Sequence, residues 1–133
     1  MSETLPDFKL KILVAEDNPV NQMVAQALLK KLGCSVIIVE NGEAAVQKVA
    51  QESFDLVLMD CIMPVMDGME ATRTIRASGQ SYDQIPIIAF TANVTDEDQQ
   101  AFQQAGMDDF IDKPVTVDKM TGLLQRWSDK LNG

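Results

Sequence analysis

At 133 residues, 46% apolar and 23% charged, the chain has the size and composition of one globular domain with a real core. A formal charge of −9 argues against nonspecific nucleic-acid binding, which needs clustered Lys and Arg, and favours partners with basic faces. The chain has no histidine, which excludes Ser-His and Cys-His triads and His-ligated metals.

In chain order, Leu10–Ala15 reads as a strand. Pro19, after Asn18, fits the first turn of a helix in which Val20, Met23, Val24, Ala27, Leu28 and Leu32 recur at helical spacing, and Gly33 ends it. Ser35–Val39 is a second strand, and Asn41 caps a second helix. Leu56–Met59 is a third strand. The loop CIMPVMDG then leads to a short helix, with Asp67 and Glu70 spaced like a capping box. Ile87–Phe90 is the fourth strand. Thr95 and Asp98 open a polar helix that stops near Gly106. Met107–Ile111 is the fifth strand, and Thr116 opens a last helix with an apolar stripe through Met120, Leu123, Leu124 and Trp127.

Strict alternation of apolar strands with helices predicts βαβ units and a parallel sheet covered on both faces. The expected fold is a three-layer α/β/α sandwich around five strands in the order 2-1-3-4-5, the flavodoxin-like order. Residues 1–9 form a short N-terminal extension and 10–133 the domain. The start, MSETLPDFKL, lacks the basic and apolar regions of a signal peptide, and no apolar run approaches a membrane span. Cys34 and Cys61 sit in apolar surroundings without a CxxC, as reduced core thiols would. A cytoplasmic protein without direct membrane insertion is expected.

The chemistry lies at the strand ends. The first strand runs into Glu16 and Asp17, the third into Asp60, the fourth into Thr91, and the segment DDFID into Lys113-Pro114. Residues just past the carboxyl ends of parallel strands share one rim, where ligands bind. Three carboxylates in one crevice repel unless a cation joins them, and oxygen donors without His or Cys suit Mg²⁺. Asp60 beside a metal is a plausible nucleophile for a phosphoryl group, with Mg²⁺ and Lys113 neutralising the developing charge. Thr91 can donate a hydrogen bond to a phosphoryl oxygen. Any one of these acids alone reads more simply as a helix cap, and Thr91 alone as a strand-end hydroxyl satisfying the backbone. A lysine at a helix start is disfavoured by the dipole, so Lys113 needs another reason to be there. Its bond to Pro114 is a candidate cis peptide, which would aim the lysine inward. Phe110 reads equally well as core or as half-exposed at the sheet edge.

Taken together, VAEDN, LMDCIMPVMDG, AFTAN and DDFIDKP resemble the receiver domain of bacterial two-component response regulators, from about Lys11 to Leu131. The variants EDNPVNQ, TAN and GMDDFIDKP are more similar to receivers of hybrid histidine kinases than to those of transcription factors. The resemblance implies a phosphoacceptor that takes phosphate from a phosphohistidine onto Asp60, catalysing only its own phosphorylation and dephosphorylation. It implies Mg²⁺ bound by Asp17, Asp60 and the Ile62 carbonyl, with Glu16 acting through water. Phosphoryl oxygens would be held by Thr91, the Ala92 backbone and Lys113. Thr91 and Phe110 would be the switch, and Ile62 and Asn93 would set the phosphoryl lifetime. The partner would be a histidine kinase or histidine phosphotransfer domain, with a homodimer on phosphorylation as an option. Output would leave through the fourth helix, fifth strand and fifth helix. The implied context is a hybrid kinase, with a stand-alone regulator or relay intermediate as the alternative.

Two other classes share parts of this pattern. A Mg²⁺-dependent aspartyl phosphatase needs a second aspartate two residues past the nucleophile, where this chain has Ile62. An FMN-binding domain needs a Ser/Thr/Gly-rich loop after the first strand, where AEDNPVNQ is acidic.

Overall fold

Five parallel strands lie in the order β2-β1-β3-β4-β5 in the computed structural model, which describes residues 5–92 and 94–132. The elements alternate as the apolar pattern dictates: β1 (Lys11–Ala15), α1 (Pro19–Lys31), β2 (Ser35–Val39), α2 (Gly42–Gln51), β3 (Leu56–Met59), α3 (Gly68–Arg76), β4 (Ile87–Thr91), α4 (Asp96–Ala105), β5 (Asp109–Asp112) and α5 (Val117–Asn132). β1 pairs with β2 on one side and β3 on the other, so the chain reverses direction across β1 and opens a crevice at the carboxyl ends of β1 and β3.

Strand period 2 splits the core into two layers. Ile12, Val14, Leu58, Ile88, Phe90 and Ile111 pack under α1 and α5, while Leu13, Ala15, Val57, Met59, Ile87 and Ala89 pack under α2, α3 and α4. β1, β3 and β4 are buried over almost their whole length, which makes the floor of the rim rigid.

The helices start where side chains replace missing backbone acceptors. Asn18 Oδ1 accepts the amides of Val20 and Asn21, Asn41 that of Ala44, and Asp67 that of Glu70. Thr95 and Asp98 form a full capping box on α4, which ends at Gly106 with φ 103°.

Two expectations shift. β5 begins at Asp109 rather than Met107, because the Met107 amide closes the end of α4 on the Phe102 carbonyl and Asp108 turns to bond Ile87. The apolar stripe expected on α1 is only partly its core face: Leu32 is buried and Leu28 partly so, but Val20, Met23 and Val24 are exposed, and Ala25 and Leu29 are buried in their place. Ala25 is fully buried, and the Gln22 side chain turns to the Glu16 carbonyl at the end of β1. The N-terminal segment is also tied to the body. Phe8 packs on the α1/α5 layer and its amide bonds the Leu32 carbonyl at 2.9 Å.

Candidate functional site

The strands that end on the crevice deliver its functional groups, two of them from β1. β1 hands over to Glu16, whose amide still bonds the Val39 carbonyl at 3.0 Å, so Glu16 is an extension of the strand. Its side chain is fully buried, while Asp17, one residue on, is exposed. β3 hands over to Asp60, whose amide bonds the Ala15 carbonyl at 3.0 Å and fixes the aspartate against β1. Asp60 is 7% exposed, recessed but reachable.

The loop after Asp60 is tightly constrained. The Met66 amide reaches the Pro64 carbonyl at 2.7 Å around Val65, which has φ 69°, a γ-turn rarely adopted by a β-branched residue. Gly68 starts α3 directly beneath Asp60: a Cβ there would lie 2.0 Å from the Asp60 carbonyl oxygen, so only glycine fits. The Ile62 amide donates to Asp60 Oδ1 at 3.2 Å.

Lys113 comes from the opposite side. Its amide bonds the Thr91 carbonyl at 2.9 Å, and its bond to Pro114 is cis, as expected. Its Nζ lies 2.5 Å from Glu16 Oε1 and 3.2 Å from Asp60 Oδ2, and 4.7 Å from the centre of the Phe90 ring. Burial is the largest influence on this ammonium and lowers its pKa. The bonds and charges of Glu16 and Asp60 together outweigh it and hold the pKa above the ordinary lysine value. Glu16 was expected to act through water; it also binds Lys113 directly and accepts the Asn18 amide at 3.1 Å. Cys61 beside Asp60 is an inert thiol: burial first, then the charges of Asp60 and Asp67, push its pKa up to about 12.

One carboxylate oxygen from each of Glu16, Asp17 and Asp60 lies within 4.8 Å of the others. Three hard oxygen donors this close, one of them exposed, fit a divalent cation such as Mg²⁺ that keeps part of its water shell.

Thr91 is 4% exposed and shares a cavity of about 230 Å³ with Cys61, Ile62, Met69, Asp98 and Phe102. Ala92 is exposed at the rim, and Asn93 lies outside the described residues. Phe110 is half-buried, away from the acids. It packs on the α4 side of the sheet and lines a groove with Phe102, Gly106 and Met107. Sequence reasoning did not single out Phe90 or Gly68 for the site. The ring under Lys113 and the missing Cβ under Asp60 depend on packing across the sheet.

A family model for the response regulator receiver domain matches residues 12–125. The chain belongs to this family. Receiver domains are phosphoacceptor modules of two-component signalling and phosphorelays, and the strand order found here is theirs. The sensor protein GacS of Pseudomonas syringae pv. syringae is 41% identical over 120 residues, covering 89% of this chain but 13% of that protein. A two-component response regulator of Oryza sativa subsp. japonica is 43% identical over 122 residues, covering 89% of this chain and 94% of its own length. The receiver domain of a sensor histidine kinase from Pseudomonas aeruginosa PAO1, with a magnesium ion coordinated in its active-site cleft, superposes with a TM-score of 0.83. That domain is 43% identical, over 91% of this chain and 98% of its own. Receivers of hybrid histidine kinases are thus prominent among the relatives, as the motif variants led us to expect. This chain spans a small part of the sensor kinases it matches. Among the described residues, no helix is long and apolar enough to cross a membrane.

Proposed function

We propose that this receiver domain, residues 10–133 after a nine-residue extension, accepts a phosphoryl group on Asp60 from a phosphohistidine. The observation that carries this reading is the convergence of Glu16, Asp17, Asp60 and Lys113 from three strand ends on one recess. An Asp60 carboxylate oxygen attacks phosphorus and forms the P–O bond. The P–N bond of the phosphohistidine breaks, and its electron pair returns to the imidazole nitrogen, which then takes a proton. Asp17, Asp60 and the Ile62 carbonyl, with Glu16 acting through water, are suited to hold Mg²⁺, which when bound supplies positive charge to the equatorial phosphoryl oxygens. Lys113 moves its ammonium from the two carboxylates to the phosphoryl group. Thr91 and the Ala92 amide hold the remaining oxygens. Asn93, with Ile62, flanks the acyl phosphate and sets its lifetime.

The donor is a histidine kinase or a histidine phosphotransfer domain. Exposed Val20, Met23 and Val24 on α1, with Ile62 and Val65 on the β3–α3 loop, give such a protein an apolar seat next to Asp60. The acidic balance of the chain favours a partner with basic groups around that seat. The chain serves a cytoplasmic hybrid-kinase relay, turns over no other substrate and leaves nucleic acid to other proteins. Its switch is Thr91 coupled to Phe110, and its output and phosphorylation-dependent pairing use the face of α4, β5 and α5.

Incubation with a small phosphoramidate donor, with and without Mg²⁺, followed by intact-mass measurement, tests the chemistry. One phosphoryl group should be added only with Mg²⁺, and none to Asp60→Asn. A gain that survives this substitution refutes the assignment.

A further inference from the structure

The turn that carries the acid pair has a backbone gap that its own residues cannot close. β1 stops at Ala15 and α1 starts at Pro19, so Glu16, Asp17 and Asn18 make the whole connection. In such a tight turn the carbonyl of the first residue would normally receive the amide three residues on. Here that residue is Pro19, which has no N–H. The Asn18 amide is already given to the Glu16 carboxylate, and the Asn18 side-chain oxygen, an acceptor, caps Val20 and Asn21. The Glu16 carbonyl is instead reached from α1 by the Gln22 side chain, Nε2 to O, at 2.6 Å.

This bond acts on one acid of the pair more than the other. The Glu16 carboxylate is independently fixed by the Asn18 amide and by Lys113. Asp17 is exposed, and the direction of its side chain is set by the peptide plane that joins it to Glu16. That plane includes the Glu16 carbonyl that Gln22 holds. Gln22 also explains why α1 turns an amide rather than Val24 toward the sheet: the carbonyl needs a donor from that side.

We infer that Gln22 is a positioning residue for Mg²⁺ binding, aiming Asp17 by anchoring the Glu16–Asp17 peptide. This rests on the reading of Glu16, Asp17 and Asp60 as the magnesium acids. The group touches neither metal nor phosphoryl group. Its loss therefore weakens metal binding while leaving the chemistry at saturating metal intact.

The test uses the full chain and two substitutions of similar length. Gln22→Met keeps the packing and removes the donor, and Gln22→Arg restores a donor. Mg²⁺ dissociation constants come from titration calorimetry on unphosphorylated protein, alongside melting temperatures in EDTA and phosphorylation rates across a Mg²⁺ series. Losing one hydrogen bond to a constrained peptide should raise the Mg²⁺ dissociation constant of Gln22→Met about three- to tenfold. Its phosphorylation rate at saturating Mg²⁺ and its melting temperature in EDTA should stay near wild type, and Gln22→Arg should recover part of the affinity. An unchanged Mg²⁺ constant in Gln22→Met overturns the inference. So does a parallel fall in melting temperature and saturated rate, the mark of a merely structural residue. The wild-type titration speaks separately to the underlying reading: no Mg²⁺ binding there would reject the acid site itself.

Discussion

Lys113→Met isolates the electrostatics of the site, because methionine keeps most of the stem and removes the ammonium. The Lys113 ammonium touches fully buried Glu16 at 2.5 Å and Asp60 at 3.2 Å. Removing it leaves two recessed carboxylates facing each other, with Asp17 also within 4.8 Å. Breaking a buried pair by deleting one partner costs about 3–5 kcal/mol. The Lys113 side chain is 16% exposed, so the lower end, about 3 kcal/mol, applies. For a chain of this length that corresponds to roughly a 10 °C fall in melting temperature in EDTA. Mg²⁺ should reverse much of it. The ion brings the missing positive charge, and it no longer meets the repulsion of a lysine. The variant is thus expected to bind Mg²⁺ more tightly than wild type and yet transfer phosphate poorly, since no ammonium remains for the phosphoryl group. Urea and thermal melts in EDTA and in Mg²⁺, with calorimetric titration of the metal, read all three effects. A loss under about 1 kcal/mol in EDTA, or an equal loss with and without Mg²⁺, would show that the buried acids do not depend on Lys113.

Gly68→Ala should strain the phosphoacceptor directly, because the new methyl meets the Asp60 carbonyl oxygen at 2.0 Å. A destabilisation of about 1–3 kcal/mol by chemical denaturation, with slowed phosphorylation, is expected, and wild-type values for both would contradict the close approach. Asp109→Asn tests the β5–α5 link. Burial alone raises the Asp109 pKa, but bonds from Arg126, the Phe110 amide and Trp127 outweigh it and hold the carboxyl below its ordinary value of 3.8. A depressed folded pKa means stabilisation that is present above 3.8 and lost as pH falls through the folded value. The gap between wild type and Asp109→Asn should therefore close in acid, with Trp127 fluorescence following it, since the indole N–H donates to Asp109 at 3.0 Å. A gap that persists at low pH would reject the ionised pairing. Ile62 is 72% exposed and apolar beside Asp60, so it offers water no hydrogen-bonding guide. Ile62→Asn should shorten the aspartyl-phosphate lifetime severalfold in a mass-spectrometric decay assay, and an unchanged lifetime would count against it.

The parts of this fold legible in the sequence are those set by local rules. Strand β3 is a continuous apolar run buried on both faces, and its bounds follow from that run alone. The caps at Asn41, Asp67 and Thr95 are side-chain chemistry at a fixed offset. Phosphate-chemistry residues at strand ends become one site because parallel strands put their carboxyl ends together. What was not legible depends on partners distant in sequence. The contact between Glu16 and Lys113 joins residues 97 positions apart, and neither neighbourhood mentions the other. The core face of α1 was partly misread because Val20, Met23 and Val24 do recur at helical spacing. The rotation of the helix is decided by Ala25 against the sheet and by a carbonyl that needs Gln22. The missing N–H of Pro19 was the one local sign of that need.

The same packing suggests where a signal started at Asp60 can go. β1, β3 and β4 have almost no exposed surface, so a change at their carboxyl ends cannot be absorbed by shifting the sheet. α4 is different: its buried residues are Phe102 and Ala105, and apart from half-buried Ala101 the rest of the helix is polar. Phe102 also lines two cavities, the one beside Thr91 and the groove beside Phe110. A helix anchored at few points, with open space on both sides of its main anchor, moves at low cost. On the proposed switch, phosphorylation would draw Thr91 toward Asp60 and alter the first cavity, and rotation of Phe110 would alter the second. Among the described residues Phe102 is the one side chain that lines both, so truncation to Ala should uncouple them. In wild type, phosphorylation is expected to shift the fluorescence of Trp127, whose indole donates to Asp109 of β5; in Phe102→Ala, phosphorylation of Asp60 should proceed while that shift is lost. A Phe102→Ala variant whose Trp127 signal still follows phosphorylation would mean that the two cavities are bridged by another route.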